Sequence, residues 1–369
     1  MISGKNQIGE DLSSDSNVTF QTFDPKLNIE NDTIFFEASD TEIQKATKLA
    51  SDAFKIFKQV SAKKRSEFLT QISEELKLIS SDIINIYCSE TGLPEARCLG
   101  ELGRTINQLV SFAELLKEGK FQEVSIDSPI PNRKPLPKPD LRKMLMPIGP
   151  VVVFGASNFP LAYSTAGGDS ASALAAGCPV ILKSHPMHAG TGELVSSAII
   201  RAAKKTNMPN GVFSNLNSKG IEVGIKLVNS HHVKAVGFTG SLKGGRAIYD
   251  LASKRIHPIP VFAEMGSVNP VLIFPKKLKY IQLTGCDNLP GILGIFPESD
   301  MKYINVCKKI RIVQRQIRKW YFRRKIKENK ISLYIFNIAY DMDFKHSFIA
   351  NKCMKSFKSL SGLSESKFE

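Results

Sequence analysis

Between residues 146 and 270, short β-branched runs alternate with segments of helical periodicity, and this alternation limits the possible architecture more than any other feature. Val151–Phe154, Val180–Lys183 and the runs 211–214, 234–238 and 260–263 read as buried strands, and helices are predicted to begin at Leu161, His188, Lys219 and Ser241. Strands that take turns with helices must run parallel and be joined by crossovers. The expected fold class is therefore α/β, with a doubly wound parallel sheet that binds ligands beyond the carboxyl ends of its strands.

Charge is unevenly spread. The 369 residues carry a formal +15, yet residues 276–369 hold 20 basic against 8 acidic side chains, which is +12 of that excess. Affinity for nucleic acid or an anionic membrane is thus excluded as a property of the whole chain and confined to the tail. No charged leader with an apolar run opens the sequence, and no apolar stretch is long enough to span a bilayer. Six scattered cysteines without CxxC spacing read as reduced thiols, so the expected location is cytoplasmic.

In chain order, residues 1–40 form a polar, weakly patterned N-terminal arm, either a mobile terminus or an extended segment lying on the main domain. Residues 41–126 are helical. Ala46, Leu49, Ala50, Ala53, Phe54 and Phe57 make the first apolar stripe, with Asp40 or Thr41 as its cap. Further helices are predicted over 63–79, 82–89 and 95–117, broken by E-T-G-L-P at Glu90. A Pro-rich crossover, 127–145, leads into the sheet domain, 146–275.

Inside that domain no G-x-G-x-x-G follows the first strand; F-G-A-S-N-F-P from Phe154 does. Two later features still suit a dinucleotide. Lys183 ends the second strand, where a cation reaches ribose or phosphate, and Gly240-Ser-Leu-Lys-Gly-Gly245 opens a helix whose free N–H groups suit a pyrophosphate. The bland alternatives stand beside these readings: Asn158 as a helix N-cap, Lys183 as a solvated strand-end lysine, Glu264 as an ordinary strand-end carboxylate. His185 and His188 imitate an H-x-x-H pair but lack a third ligand, so no metal is expected. His231 and His232 fall in a helix-to-strand turn, and Cys178 reads as a small apolar core residue.

F-G-A-S-N-F-P, I-L-K-S, F-T-G-S-x-x-x-G and F-A-E-M-G-S-x-N-P, in this order, resemble the aldehyde dehydrogenase superfamily over about residues 28–275. E-T-G-L-P-E-A-R at Glu90, G-R-T-I-N-Q-L at Gly103 and A-G-G-D-S-A-S-A-L-A-A-G-C-P resemble the branch that oxidises 2-oxoglutarate semialdehyde (2,5-dioxopentanoate). The resemblance implies a Rossmann-like sheet domain and NAD(P)-dependent oxidation of an aldehyde to its acid through a cysteine thioester. It implies that Asn158 donates to the developing oxyanion and that Glu264 is the base for the deacylating water. It places cofactor contacts at Phe154, Gly155, Lys183, Ser184, His185, Gly240, Ser241, Gly245 and Met265. Many NAD-preferring relatives carry a glutamate three residues after the lysine. Pro186 stands there, so NADP is favoured and NAD tolerated. Arg104 reads either as a partner for the substrate's far carboxylate or as half of a surface salt bridge.

The resemblance stops after Pro275. Counting the family's interval on from Glu264 reaches Glu298 in F-P-E-S-D, and neither Cys286 nor Cys307 lies in a G-Q-x-C loop. The nucleophilic cysteine, the remaining catalytic lobe and the oligomerisation strand are therefore expected to be missing, and this chain to be inactive. Its Lys-, Ile- and Asn-rich tail reads as an out-of-frame extension. The alternative reading is a nucleotide-fold module with a basic helical tail: V-Q-R-Q-I-R-K-W-Y-F-R (313–323) resembles an IQ motif for a calmodulin-like partner, with Lys319 at its usual glycine. Sequencing the gene decides between them: a second frame past the Pro275 codon that encodes a G-Q-x-C loop makes the tail an artefact, and its absence keeps the calmodulin reading alive.

Overall fold

The computed structural model describes residues 2–266 and two short strands further on, 294–295 and 334–335. The chain divides into two compact units, Met1–Met265 and Gly266–Glu369. In the second, β12 (Gly294–Ile295) and β13 (Tyr334–Ile335) make an antiparallel pair. Cys286, Cys307 and the basic amphipathic stretch 306–325 lie outside the described residues.

The first unit is built on β7 (Val151–Phe154), β8 (Val180–Lys183), β9 (Phe213–Leu216), β10 (Ala235–Gly240) and β11 (Val261–Met265). They form a parallel ladder in the order β11-β10-β7-β8-β9. The chain winds outward from β7 through β8 to β9, then returns to β7's other side for β10. This reversal leaves a crevice at the carboxyl ends of β7 and β10, as doubly wound sheets do. The strands are apolar on both faces because both are covered. Val151 and Val153 enter a core with α2 (Ala62–Leu78), α4 (Glu95–Glu118), α5 (Gly168–Ala176) and α6 (Ala189–Lys205). Val152 points the other way, into a core with α1 (Asp40–Phe57) and α7 (Glu222–Asn229). Cys178 is buried in the first of these cores. α8 (Leu242–Ser253) follows β10 and packs Ala252 against Val236.

Several element boundaries differ from the sequence reading. The helix expected from Leu161 starts at Gly168, because the Glu101 carboxylate takes the N–H groups of Leu161 (2.8 Å) and Ala162 (3.0 Å) and holds 160–166 in turns. The helix after His188 follows a short 3-10 turn over Pro186–His188. The third strand lies two residues later than its apolar run, and α7 begins at Glu222. The cap of α1 is Ser39, not Asp40 or Thr41. Its hydroxyl accepts from Glu42 N (3.1 Å) while Glu42 accepts from Ser39 N (2.8 Å), a capping box contributing about 1 kcal/mol.

The polar first forty residues are extended and tied down. β1 (Asn6–Ile8) joins the sheet edge antiparallel to β9, and β2 (Asp11–Ser13) pairs with β1. β3 (Thr19–Asp24) and β4 (Ile29–Phe36) form a separate hairpin. Buried polar groups make the joints: Glu193 accepts from Ser3 N, Ser3 Oγ and Gly4 N, and Asn217 N donates to Asn6 Oδ1 at 2.8 Å. Polarity therefore gave no sign of the burial. The Pro-rich crossover is a projecting hairpin, β5 (Ser125–Asp127) against β6 (Leu141–Lys143), whose strand residues are all exposed.

At the end of α3 (Ser80–Thr91), Glu90 is buried and accepts from Gly190 N (2.7 Å), Thr191 N (2.8 Å) and Thr191 Oγ1 (2.7 Å), closing the N-terminus of α6. Burial pushes its pKa up from 4.5 to about 7, against the pull of these hydrogen bonds. The folded state therefore holds this proton more tightly than the unfolded chain. Stability of the unit is highest below about pH 4.5 with respect to this group and falls by roughly 3 kcal/mol as the pH rises to about 7. Urea unfolding followed by circular dichroism across that range should show the slope, and Glu90→Gln should flatten it; an unchanged slope removes Glu90 as its source.

Candidate dinucleotide and aldehyde site

The carboxyl ends of four strands supply the rim. Parallel register sets Phe154 beside Lys183 on one side and Phe238 on the other, then Thr239 beside Glu264 and Gly240 beside Met265. The Phe154 and Phe238 rings meet edge to face at 5.9 Å. Gly155 N donates to Lys183 O at 3.1 Å, so the chain leaves β7 close over β8, and a Cβ on Gly155 would meet Ser164 Oγ at 2.7 Å.

Across the reversal, Ser241 caps α8 by accepting from Gly244 N at 3.1 Å, and Gly245 N donates to Ser241 O at 2.9 Å. The first-turn amides of Leu242 and Lys243 keep no intrahelical acceptor, which makes this end a ready anion site. A side chain at Gly245 would meet Met265 Sδ at 2.3 Å, and one at Gly240 would meet the Phe238 ring at 2.8 Å. The glycines keep the wall of the crevice low enough for a ligand to approach the backbone.

Lys183 is half-buried and donates to Ser218 O at 3.1 Å. Burial lowers its pKa from 10.5 to about 8, while Glu37, at the β4–α1 link, opposes the shift. Ser184 is buried with its hydroxyl unpartnered, beside Gly192. His185 stacks on His188 at 5.2 Å. Burial first, then the neighbouring His188 and Lys183, lower the His185 pKa to about 3, so it is a neutral ring at physiological pH. His188 Nε2 donates to Ala156 O at 2.8 Å, and burial disfavours its charged form. Each ring is engaged locally. Among the described residues no group of three metal-ligating side chains gathers, and no helix there is long and apolar enough to cross a membrane.

Asn158 and Glu264 sit in different surroundings. Asn158 is exposed on the 155–160 loop and lines a cavity of about 510 Å³ with Glu90, Arg97, Met187 and His188; Glu264 is not among its walls. Glu264 stands at the end of the outer strand, exposed. Beside it is Asp169, at the start of α5, which takes a hydrogen bond from Thr239. Burial, then the Glu264 charge, raise the Asp169 pKa. Gly237 makes room for this side chain, since a Cβ there would come within 3.2 Å of Asp169 Cβ.

Among the described residues Arg104 is engaged by aromatic side chains and not by the surface salt bridge read as one of its alternatives. Its guanidinium donates to Tyr163 Oη at 2.6 Å and lies over the Tyr163 ring at 4.9 Å and the Phe159 ring at 5.9 Å. Arg97, which sequence reasoning missed, covers Phe159 at 4.5 Å and reaches Glu101 at 3.7 Å. Helical spacing over seven residues, 97 to 104, was the available signal for a shared face on α4. Asp169, Glu37 and Glu101 carried no local signal.

A family profile described as the aldehyde dehydrogenase family matches residues 12–277. The chain is 48% identical over 278 residues to an alpha-ketoglutaric semialdehyde dehydrogenase 2 of Azospirillum brasilense, covering 75% of this chain and 53% of that relative. It is 46% identical over 245 residues to an alpha-ketoglutaric semialdehyde dehydrogenase of Acinetobacter baylyi, covering 66% and 46% respectively. The chain thus spans about half the length of the curated relatives it matches. In structure it is similar to a betaine aldehyde dehydrogenase of Staphylococcus aureus in complex with NAD+, with a TM-score of 0.63 and 20% identity over 72% of this chain and 51% of that one. A NAD-dependent benzaldehyde dehydrogenase of Corynebacterium glutamicum gives 0.63 at 23% identity over 72% and 55%.

The lowered Lys183 pKa sets the pH response of the rim. Affinity for a phosphate-bearing ligand should fall as the pH rises through about 8, where the ammonium loses its proton. Calorimetric titration between about pH 6 and about pH 9 reads this directly, and a flat profile would detach Lys183 from the ligand.

Proposed function

The chain belongs to the aldehyde dehydrogenase family, and from that premise we propose that its first unit is the dinucleotide-holding part of an enzyme type that oxidises 2-oxoglutarate semialdehyde to the acid. The observation that carries this reading is the pairing, across the chain reversal, of half-buried Lys183 with the glycine-walled N-terminus of α8. One supplies a cation for ribose or phosphate, the other backbone N–H groups for a pyrophosphate. A bound nicotinamide would supply the acceptor for the hydride leaving the aldehyde carbon. Phe154, Gly155, Ser184, His185 and Met265 shape the rest of the cradle, with His185 neutral and able to offer one N–H.

In the reaction so proposed, Asn158 donates its amide to the developing oxyanion, a role worth about 3 kcal/mol where one such donor is removed. Glu264 stands where that reaction needs a base for the deacylating water, a role with no thioester to serve in this chain. Arg104 and Arg97, stacked about Phe159, receive the far carboxylate of the substrate, since guanidinium groups bind carboxylates by paired hydrogen bonds. The names of the two relatives at 46–48% identity support a substrate of that class. No G-Q-x-C loop follows Glu264 in this sequence, so the thioester step has no thiolate in the family's position. The chain is accordingly a dinucleotide holder that does not itself turn over aldehyde. Free Cys88, Cys98 and Cys178 agree with a reducing, cytoplasmic setting.

NADP is the favoured cofactor because Pro186 replaces a carboxylate beside the ribose. Glu37 works against that preference by placing negative charge near Lys183 from another element. Fluorescence titration should show NADPH bound by the full chain, weakened roughly tenfold or more by Lys183→Ala, with no NADPH formed from 2-oxoglutarate semialdehyde and NADP. Absence of dinucleotide binding by a folded chain, or turnover by it, overturns the reading. Glu37→Gln should raise the NADP-to-NAD affinity ratio several-fold; an unchanged ratio removes Glu37 from cofactor choice.

A further inference from the structure

At the amino ends of the parallel strands, opposite the Lys183 rim, the turn from α7 to β10 meets the segment that follows α8. Between them lies a cavity of about 800 Å³ whose polar walls are Asn229, His231, Lys234, Lys254, Arg255 and His257, with no carboxylate among its lining residues. Ile148, Ile256 and Ile259 give it an apolar side.

The cations are positioned by bonds that are not ion pairs. Lys234 N donates to Pro150 O at 2.8 Å, and its ammonium donates to His231 O at 3.0 Å. Its stem crosses Gly149, where φ is +132° and a Cβ would meet Lys234 Cγ at 2.4 Å. Arg255 donates to Val233 O at 3.2 Å and Ser230 O at 2.9 Å. Burial lowers the Arg255 pKa. Among the described residues, Lys234, Lys254 and Arg255 have no ion-pair partner.

The surrounding elements do not neutralise this charge. On α1, Asp52 is bonded to Lys48 and Lys55, and Asp40 is bonded to Lys226 of α7. His231 and His232 lie ring against ring at 3.8 Å. Burial, then His231, Lys48 and Lys234, disfavour a proton on His232, and Asp52 alone opposes them. The local field is positive, and Lys234 and Arg255 are held in place before any anion arrives, which lowers the ordering cost for these two side chains.

We propose that this groove is a binding site for a compact phosphate-type polyanion, such as pyrophosphate or the diphosphate end of a phosphorylated small molecule, separate from the dinucleotide rim. Its concave shape and apolar side suit a small molecule. A nucleic acid strand would instead call for an extended basic stripe. Binding favours a proton on His232, which lies against His231, because the anion offsets the charges that now disfavour it.

The test is titration of inorganic pyrophosphate into the full chain at low salt, read by imidazole NMR. Of the six histidines, His231 and His257 line the groove, His232 reports it through its contact with His231, His185 reports the Lys183 rim, and His346 reports attraction to the basic tail. The expected result is a saturable shift at His231, His232 and His257, with the His232 titration moving to higher pH. The double variant Lys234→Ala, Lys254→Ala should weaken that shift roughly tenfold while His185 responds as before. Lys183→Ala should leave the groove response intact. The proposal is overturned if the shifts do not saturate, if His346 follows the same curve, if the double variant binds as tightly, or if a short DNA duplex produces the shifts and pyrophosphate does not.

Discussion

The parallel hydrogen-bond ladder centred on β7 is the constraint on which the rest of this unit depends. Each neighbour of β7 must be reached by a crossover, and crossovers to opposite sides diverge at its carboxyl end. The crevice that results is a consequence of backbone pairing rather than of any single side chain. Phe154, Lys183, Gly240 and Glu264 are near one another because register places them at the ends of adjacent strands. Covering both faces of the ladder then requires two separate cores, which the alternation of Val151 to Val153 between them records.

Buried carboxylates pin the other elements to this frame. Glu90 closes α6, Glu101 holds the turn after Asn158, Glu193 anchors the N-terminal arm, and Glu42 closes α1. Each accepts backbone N–H groups that would otherwise be buried without partners, a loss of about 1–3 kcal/mol per group. Glu101 matters most for chemistry. It bonds Leu161 and Ala162 on one side, receives Tyr87 Oη at 2.9 Å on another, and has Arg97 within 3.7 Å. The position of the Asn158 loop and the orientation of the arginine face are thereby set by one side chain.

The two ends of the sheet differ electrically for structural reasons. At the carboxyl end, a half-buried lysine with a depressed pKa faces helix amides, a pairing that gains most when a ligand supplies the negative charge. At the amino end, the turn before β10 and the C-terminal end of α8 carry the cations, and carbonyl oxygens hold Lys234 and Arg255. Acidic residues are nearby at both ends, but those near the amino end already have lysine partners.

Sequence by itself determined the strand-and-helix alternation, the end of the family match near residue 275 and the motif positions Asn158, Lys183, Gly240–Gly245 and Glu264, because periodicity and local turn chemistry are properties of neighbours along the chain. Ser39-Asp-Thr-Glu42 was equally legible as a capping box, although Asp40 or Thr41 was read as the cap. Only the tertiary structure decided that the polar N-terminal arm becomes sheet, that Arg104 bonds Tyr163, and that Asp169 faces Glu264 and Glu37 faces Lys183. Those pairings join residues far apart in the chain through burial and electrostatics. A buried polar group with a distant partner looks, in sequence, the same as one left in water.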